Sequence, residues 1–149
     1  MAYRPGICAI IFKQTPNGPR FLVFHRIKNW SGYEFLKGGV KSGETEISCL
    51  SRELAEETGS RKYKIIQRTP YKIEYGWTKE FMKDHRKYIG ASNRLYLIEF
   101  FESAVKIDPR EHDGFEWVTE ERAMELLTYQ NLKDALEWVL KGFQSVFSA

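Results

Sequence analysis

The chain has 149 residues, 42% hydrophobic and 29% charged, which suits one globular domain with a sizeable core and excludes a disordered chain. Its 23 Lys and Arg against 20 Asp and Glu leave a formal net charge of only +3, too small an excess for bulk phosphate neutralisation of the histone or ribosomal-tail kind. Cys8 and Cys49 form no disulfide framework or zinc-type cluster, no apolar run approaches the ~18 residues of a membrane span, and the N-terminus lacks a signal peptide's layout, so a cytoplasmic protein with no membrane partner is expected.

Ile7–Lys13 and Phe21–Arg26 are short apolar runs separated by Thr15-Pro16-Asn17-Gly18-Pro19, and they predict an antiparallel hairpin. Residues 32–44 carry Gly32, Gly38, Gly39 and Gly43 and read as a loop. Ile47, Leu50 and Leu54 then recur at the spacing of one helical face, with Gly59 standing where a C-cap belongs. Lys62–Trp77 reads as one or two strands broken by Pro70, and the β-rich run Arg94–Glu102 as a central strand. Phe115–Val118 is a short strand. Thr119 opens a helix to about Leu127, and the last helix runs from about Leu132 to Phe147. Strands interleaved with one internal and two late helices predict an α/β architecture, with helices on both sides of a mixed sheet and residues 1–149 as a single domain.

The chemistry is concentrated in residues 38–59. Glu53, Glu56 and Glu57 stand at i, i+3 and i+4, so three carboxylates share one helix face and repel one another. Divalent cations would neutralise them, and hard oxygen ligands suit Mg²⁺ or Mn²⁺. Arg52 can hold a carboxylate by a bidentate pair, and the preceding glycines let backbone approach a charged ligand. A solvated acidic helix would account for Glu56 and Glu57, but not for the glycines, Glu44 and Arg52 at their offsets. The spacing of Gly38 and Gly43 matches a P-loop, yet Glu44-Thr45 follows where Lys and Ser or Thr are required.

Gly38, Glu44, Arg52-Glu53-Leu54, Glu56-Glu57 and Gly59 together resemble the signature of the Nudix hydrolases, G-x5-E-x7-R-E-U-x-E-E-x-G-U, where U is a bulky aliphatic residue. Ser60 departs from the final aliphatic position, a change expected to affect packing after the helix. The resemblance implies an α/β/α sandwich that hydrolyses a phosphoanhydride bond in a nucleoside diphosphate-linked substrate, with Mg²⁺ or Mn²⁺. By that resemblance Glu53, Glu56 and Glu57 are metal ligands, Arg52 and Glu44 orient them, and the backbone of Gly38 and Gly39 joins the metal shell. Glu111 is a further candidate ligand or base from the loop before Phe115–Val118, and Glu56 and Glu57 are the other candidate bases; His112 reads as an ordinary loop residue.

For the substrate, Tyr96 and Tyr129 resemble the aromatic pair that sandwiches a base in dinucleoside tetraphosphate hydrolases, with Lys37 and Lys41 as phosphate contacts. Diadenosine tetraphosphate, cleaved to ATP and AMP, is therefore the first expectation. The N-terminal Tyr3-Arg4-Pro5-Gly6-Ile7 instead resembles the start of RNA 5′-pyrophosphohydrolases. Residues 79–94 add five cations against two acids, Lys79, Lys83, Arg86, Lys87 and Arg94 against Glu80 and Asp84. An RNA 5′ end is thus the alternative partner, ahead of a dNTP pyrophosphatase and of a non-catalytic nucleotide- or RNA-binding domain.

Overall fold

The computed structural model describes residues 2–84 and 87–148; His85 and Arg86, the latter counted in the basic segment, lie outside them. The elements in chain order are β1 (Ala2–Thr15), β2 (Gly18–Arg26), β3 (Gly32–Glu34), β4 (Leu36–Gly39), α1 (Glu46–Thr58), β5 (Tyr63–Gly76), α2 (Lys79–Asp84), β6 (Tyr88–Phe100), β7 (His112–Val118), α3 (Glu120–Leu126), α4 (Gln130–Gly142) and α5 (Gln144–Phe147).

One mixed seven-stranded sheet carries all the strands in the path β3-β2-β1-β6-β5, with β4 added to β1 and β7 to β2. The hairpin forms as expected, Phe12 facing Phe21 and Thr15 facing Gly18. Its first strand continues in parallel register with β6, from Tyr3 beside Gly90 to Phe12 beside Glu99.

Alternation along β1 sorts its side chains onto two cores. Ile7, Ala9 and Ile11 pack under α1 with Cys49, Leu50, Leu54, Tyr96, Ile98 and Phe100. Cys8, Ile10 and Phe12 face the opposite layer, with Leu95, Leu97 and the α4 residues Leu132, Ala135, Leu136 and Val139. Helices therefore cover both faces of the sheet, the α/β/α arrangement anticipated from the element order. Full burial of each aliphatic side chain contributes roughly 1.5–3 kcal/mol, so Leu50 and Leu54 anchor α1 firmly.

Four expectations change. Gly32–Glu34 and Leu36–Gly39 are strands rather than loop: Leu36–Gly39 pairs with Gly6–Ala9, and the buried Phe35 and Leu36 supply apolar side chains to the two faces. Pro70 does not break β5. It lies where the register against β6 shifts between Arg68 and Lys72, and the strand resumes beyond it. Ile47 is 49% exposed, so the apolar stripe of α1 is Cys49, Leu50 and Leu54. The final helix divides at Phe143 into α4 and α5.

Candidate active site

Thr45 caps α1, its hydroxyl accepting from the Ser48 amide, and Gly59 ends the helix in the left-handed region at φ 69°. Between these caps the helix keeps Leu50 and Leu54 in the core and turns Glu53, Glu56 and Glu57 toward β4 and the loop before β7. Gly38 is required at the nearest point of β4: a Cβ there would lie 2.2 Å from the Glu53 carboxyl carbon.

Arg52 organises this end of the helix as the spacing predicts. Its Nε donates to Glu44 Oε2 at 2.8 Å and Nη2 to Glu44 Oε1 at 3.0 Å, a bidentate pair. Nη1 donates to Glu53 Oε1 at 2.8 Å, and Nη2 also reaches the Gly39 carbonyl at 3.1 Å. The Arg52 guanidinium holds the Glu44 carboxyl down at about 2. Ser60, the departure from the motif, is buried and donates to Glu102 at 2.6 Å, so a hydrogen bond stands where an aliphatic side chain would pack.

The remaining acids meet in a crowded pocket of negative charge. One ligand atom each from Glu57, Glu111 and His112 lie within 4.8 Å of one another. Burial, reinforced by the neighbouring Glu111 carboxyl, pushes Glu57 up to about 7. Glu53 is likewise raised, first by burial and then by Glu56 and Glu111, against the pull of Arg52. Glu56 remains 44% exposed, 3.5 Å from Arg52. Carboxylate oxygens drawn together without enough positive charge are the donor set a hard divalent cation requires, so the residues fit Mg²⁺ or Mn²⁺.

His112 is not the loop residue it resembles in sequence. It is 2% exposed, its Nδ1 lies 2.8 Å from Glu57 Oε2 and its Nε2 2.9 Å from Glu34 Oε2. Burial opposes its charge, but hydrogen bonds to Glu34 and Glu57 raise its pKa to about 9. With both ring nitrogens donating to carboxylates, it offers no lone pair to a metal. His25, for which the sequence suggests no partner, lies 2.6 Å from Asp113.

Glu34 continues this chain of contacts toward the other face of the sheet. Arg26 donates to its Oε2 at 2.9 Å, and Lys37 Nζ stands 3.3 Å from its Oε1. Burial works against its ionisation, yet the His112 hydrogen bond and the charges of Lys37 and Arg26 hold it at about 2. Lys37 and Arg26 also line an open cavity of about 530 Å³ with Arg4, Trp30, Tyr75, Trp77, Phe81, Asn93 and Tyr129.

The cavity wall alternates rings and cations. Trp30 meets Tyr129 edge to face at 4.9 Å, the Arg26 guanidinium lies 5.7 Å from the Trp30 ring, and Arg4 lies 5.0 Å from that of Trp77. Lys37 donates to the Tyr75 hydroxyl at 3.2 Å. Arg4 and Asn93 line this wall, and their Nε and Oδ1 are buried against Gly39 and Gly6 with no hydrogen-bond partner among the described residues. A larger groove, about 710 Å³, between the β1–β2 turn and helices α3 to α5 holds no residue of the motif.

Of the proposed substrate contacts, Lys37 and Tyr129 reach this cavity; Lys41 does not line it. Tyr96 is a correction. Its side chain is 0% exposed beneath α1, and its hydroxyl donates to Glu46, so it has no face to offer a base. Tyr129 is 48% exposed and is paired with Trp30 instead. Arg4, Arg26, Trp30 and Asn93 are cavity residues that the sequence reading passed over. Tyr3-Arg4-Pro5 held a hint of Arg4, but nothing local marks the other three.

Comparison with known proteins agrees with this geometry. The family model described as the NUDIX domain matches residues 2–139. An RNA pyrophosphohydrolase of Helicobacter pylori (strain G27) is 29% identical over 146 residues, covering 97% of this chain and 88% of that protein. Another, from a Nitratiruptor species, is 30% identical over 111 residues, covering 73% and 72%. Among solved structures, a C. elegans Ap4A hydrolase binary complex superposes with a TM-score of 0.79 at 19% identity, over 97% of this chain and 99% of that one. The E. coli dihydroneopterin triphosphate pyrophosphohydrolase superposes with a TM-score of 0.72 at 18% identity, over 95% and 99%. At those identities the structural likeness speaks to the fold, while the model match over nearly the whole chain and the intact acid helix speak to the family. The chain belongs to the Nudix hydrolases, enzymes that act on nucleoside phosphoanhydrides.

Proposed function

We propose that this enzyme hydrolyses the 5′-triphosphate of RNA, releasing pyrophosphate, with residues 1–149 working as one domain. The observation that carries this reading is the ring-and-cation cavity, joined through β4 and Glu34 to the acid helix. Single-stranded RNA ends present bases for aromatic stacking beside phosphates for Arg and Lys, which is the composition of this wall. Trp30 and Tyr129 supply the stacking surface, and Arg4, Arg26 and Lys37 the phosphate contacts. The RNA pyrophosphohydrolases aligned over most of the chain support the same choice.

Glu53, Glu56, Glu57 and Glu111 would hold Mg²⁺ or Mn²⁺, with the Gly38 backbone alongside, and Arg52 and Glu44 would fix the orientation of Glu53. The ion would supply charge neutralisation at the phosphate oxygens and a bound water of lowered pKa. Glu57 is committed to His112, which leaves Glu56 and Glu111 to accept the proton of the attacking water. Lys37, with its pKa raised despite burial by the charge of Glu34, stays cationic to meet the substrate phosphates. Positioning and charge stabilisation then account for most of the catalysis.

The second reading, hydrolysis of dinucleoside tetraphosphates, keeps Tyr129 as a stacking surface but loses Tyr96 to the core. The test is a 5′-triphosphorylated oligonucleotide labelled in the β phosphate. Label released as pyrophosphate with Mg²⁺ or Mn²⁺ and not with chelator supports the proposal, and an untouched RNA end overturns it.

A further inference from the structure

His112 links the acid helix to the cavity by side-chain contacts. Its Nδ1 contact is with Glu57 of the acid helix, and its Nε2 contact is with Glu34, whose other partners Arg26 and Lys37 belong to the cavity. The ring is held between these ends, 4.8 Å from the Phe24 ring centroid, and is 2% exposed. Glu34 is 1% exposed. A buried carboxylate with three cationic neighbours is fixed in position, and the imidazole it holds is fixed with it.

We propose that His112 is a positioning residue, a two-ended strut that sets the Glu57 carboxylate for metal and ties its placement to the cation-lined substrate cavity through Glu34. The inference rests on the reading of Glu57 as a metal ligand. Groups that orient a ligand from behind typically change metal affinity by about 10- to 100-fold when removed. Glu34 makes no contact with the acids of α1 among the described hydrogen bonds and ion pairs, and the hydrogen-bonded route from it to Glu57 runs through His112. At this junction β2 pairs with β3 on one side and with β7 on the other, and the β2–β7 register shifts at Asp113, so that His112 stands opposite Arg26. The strut is therefore carried by two strands of one sheet, not by a loose loop.

Mn²⁺ binding to the whole protein, read from the electron paramagnetic resonance signal of free Mn²⁺, tests the strut without any turnover. His112→Asn should weaken Mn²⁺ binding about 10- to 100-fold. The isosteric Glu34→Gln, which removes charge at the far end, should weaken it by less, and the double variant should lose no more than His112→Asn alone. Circular dichroism and urea titration establish that each variant is folded. Should His112→Asn not fold, Glu34→Gln decides the question, since a merely structural Glu34 would leave Mn²⁺ affinity unchanged. Glu57→Gln is the reference. If it has no effect on Mn²⁺, the metal reading fails and the strut with it. If it weakens binding while both other variants bind as wild type, the strut alone is overturned.

Discussion

The acid helix and the ring-and-cation cavity are built by opposite means. The motif residues of the first lie within Gly38–Gly59, held by one helix, its caps and one arginine, with Glu111 and His112 brought to them from elsewhere in the chain. The second takes Arg4 from β1, Arg26 from β2, Trp30 from the following turn, Lys37 from β4, Trp77 after β5, Asn93 from β6 and Tyr129 from the start of α4. The contrast separates bond cleavage from substrate choice. Cleavage needs a local constellation that one helix can hold to tight tolerance, whereas selection draws on a surface to which many segments contribute and which can change without disturbing the acids.

The largest effect should come from the local constellation. Glu56→Gln and Glu57→Gln should each lower kcat by about 10²–10⁴-fold while the fold survives in circular dichroism; near-normal turnover in both would remove these carboxylates from the chemistry. Next comes the cavity. Trp30→Ala or Tyr129→Ala should cost ~1–3 kcal/mol in kcat/KM toward RNA ends, and far less toward inorganic tripolyphosphate. An equal loss on both substrates would make the two rings structural. Tyr96→Phe sharpens the same comparison from the other side. It should leave the ratio between those substrates unaltered and lower stability by about 1 kcal/mol, through loss of the hydrogen bond to Glu46.

The last test concerns the link between the two regions. The Glu34 carboxyl is held at about 2, against an ordinary 4.5. Its folded pKa is depressed, so the stability it contributes is fully present above pH 4.5 and is lost as pH falls from there through about 2. Denaturant titrations in metal-free buffer should show that decline, and Glu34→Gln should flatten it. A variant that follows the wild-type acid profile would mean that Glu34 gains nothing from its partners.

How much of this was legible in the sequence follows the same division. Glu53, Glu56 and Glu57 could be read because helical periodicity turns their spacing into geometry, while Glu44 came from the resemblance to the Nudix signature; the structure returns the bidentate Arg52 pair as expected. His112 could not, because its partners Glu57 and Glu34 lie 55 and 78 positions away and only the sheet brings them together. Tyr96 misled for a different reason. Leu95-Tyr96-Leu97-Ile98 is apolar on both faces, as befits a strand covered by helices on both sides, so alternation gives no mark of which residue reaches a surface. The strands at 32–39 were hidden by their glycines, of which Gly38 is explained only by Glu53 standing against it. No helix among the described residues is long and apolar enough to cross a membrane.

The central claim is that the acid helix serves an RNA 5′ end. Competition between a 5′-triphosphorylated oligonucleotide and diadenosine tetraphosphate in one reaction, with Mg²⁺ and again with Mn²⁺, measures the ratio of their kcat/KM values directly. The account predicts that the RNA end is consumed first with either ion. Preferential loss of diadenosine tetraphosphate, with the RNA triphosphate intact, would contradict it.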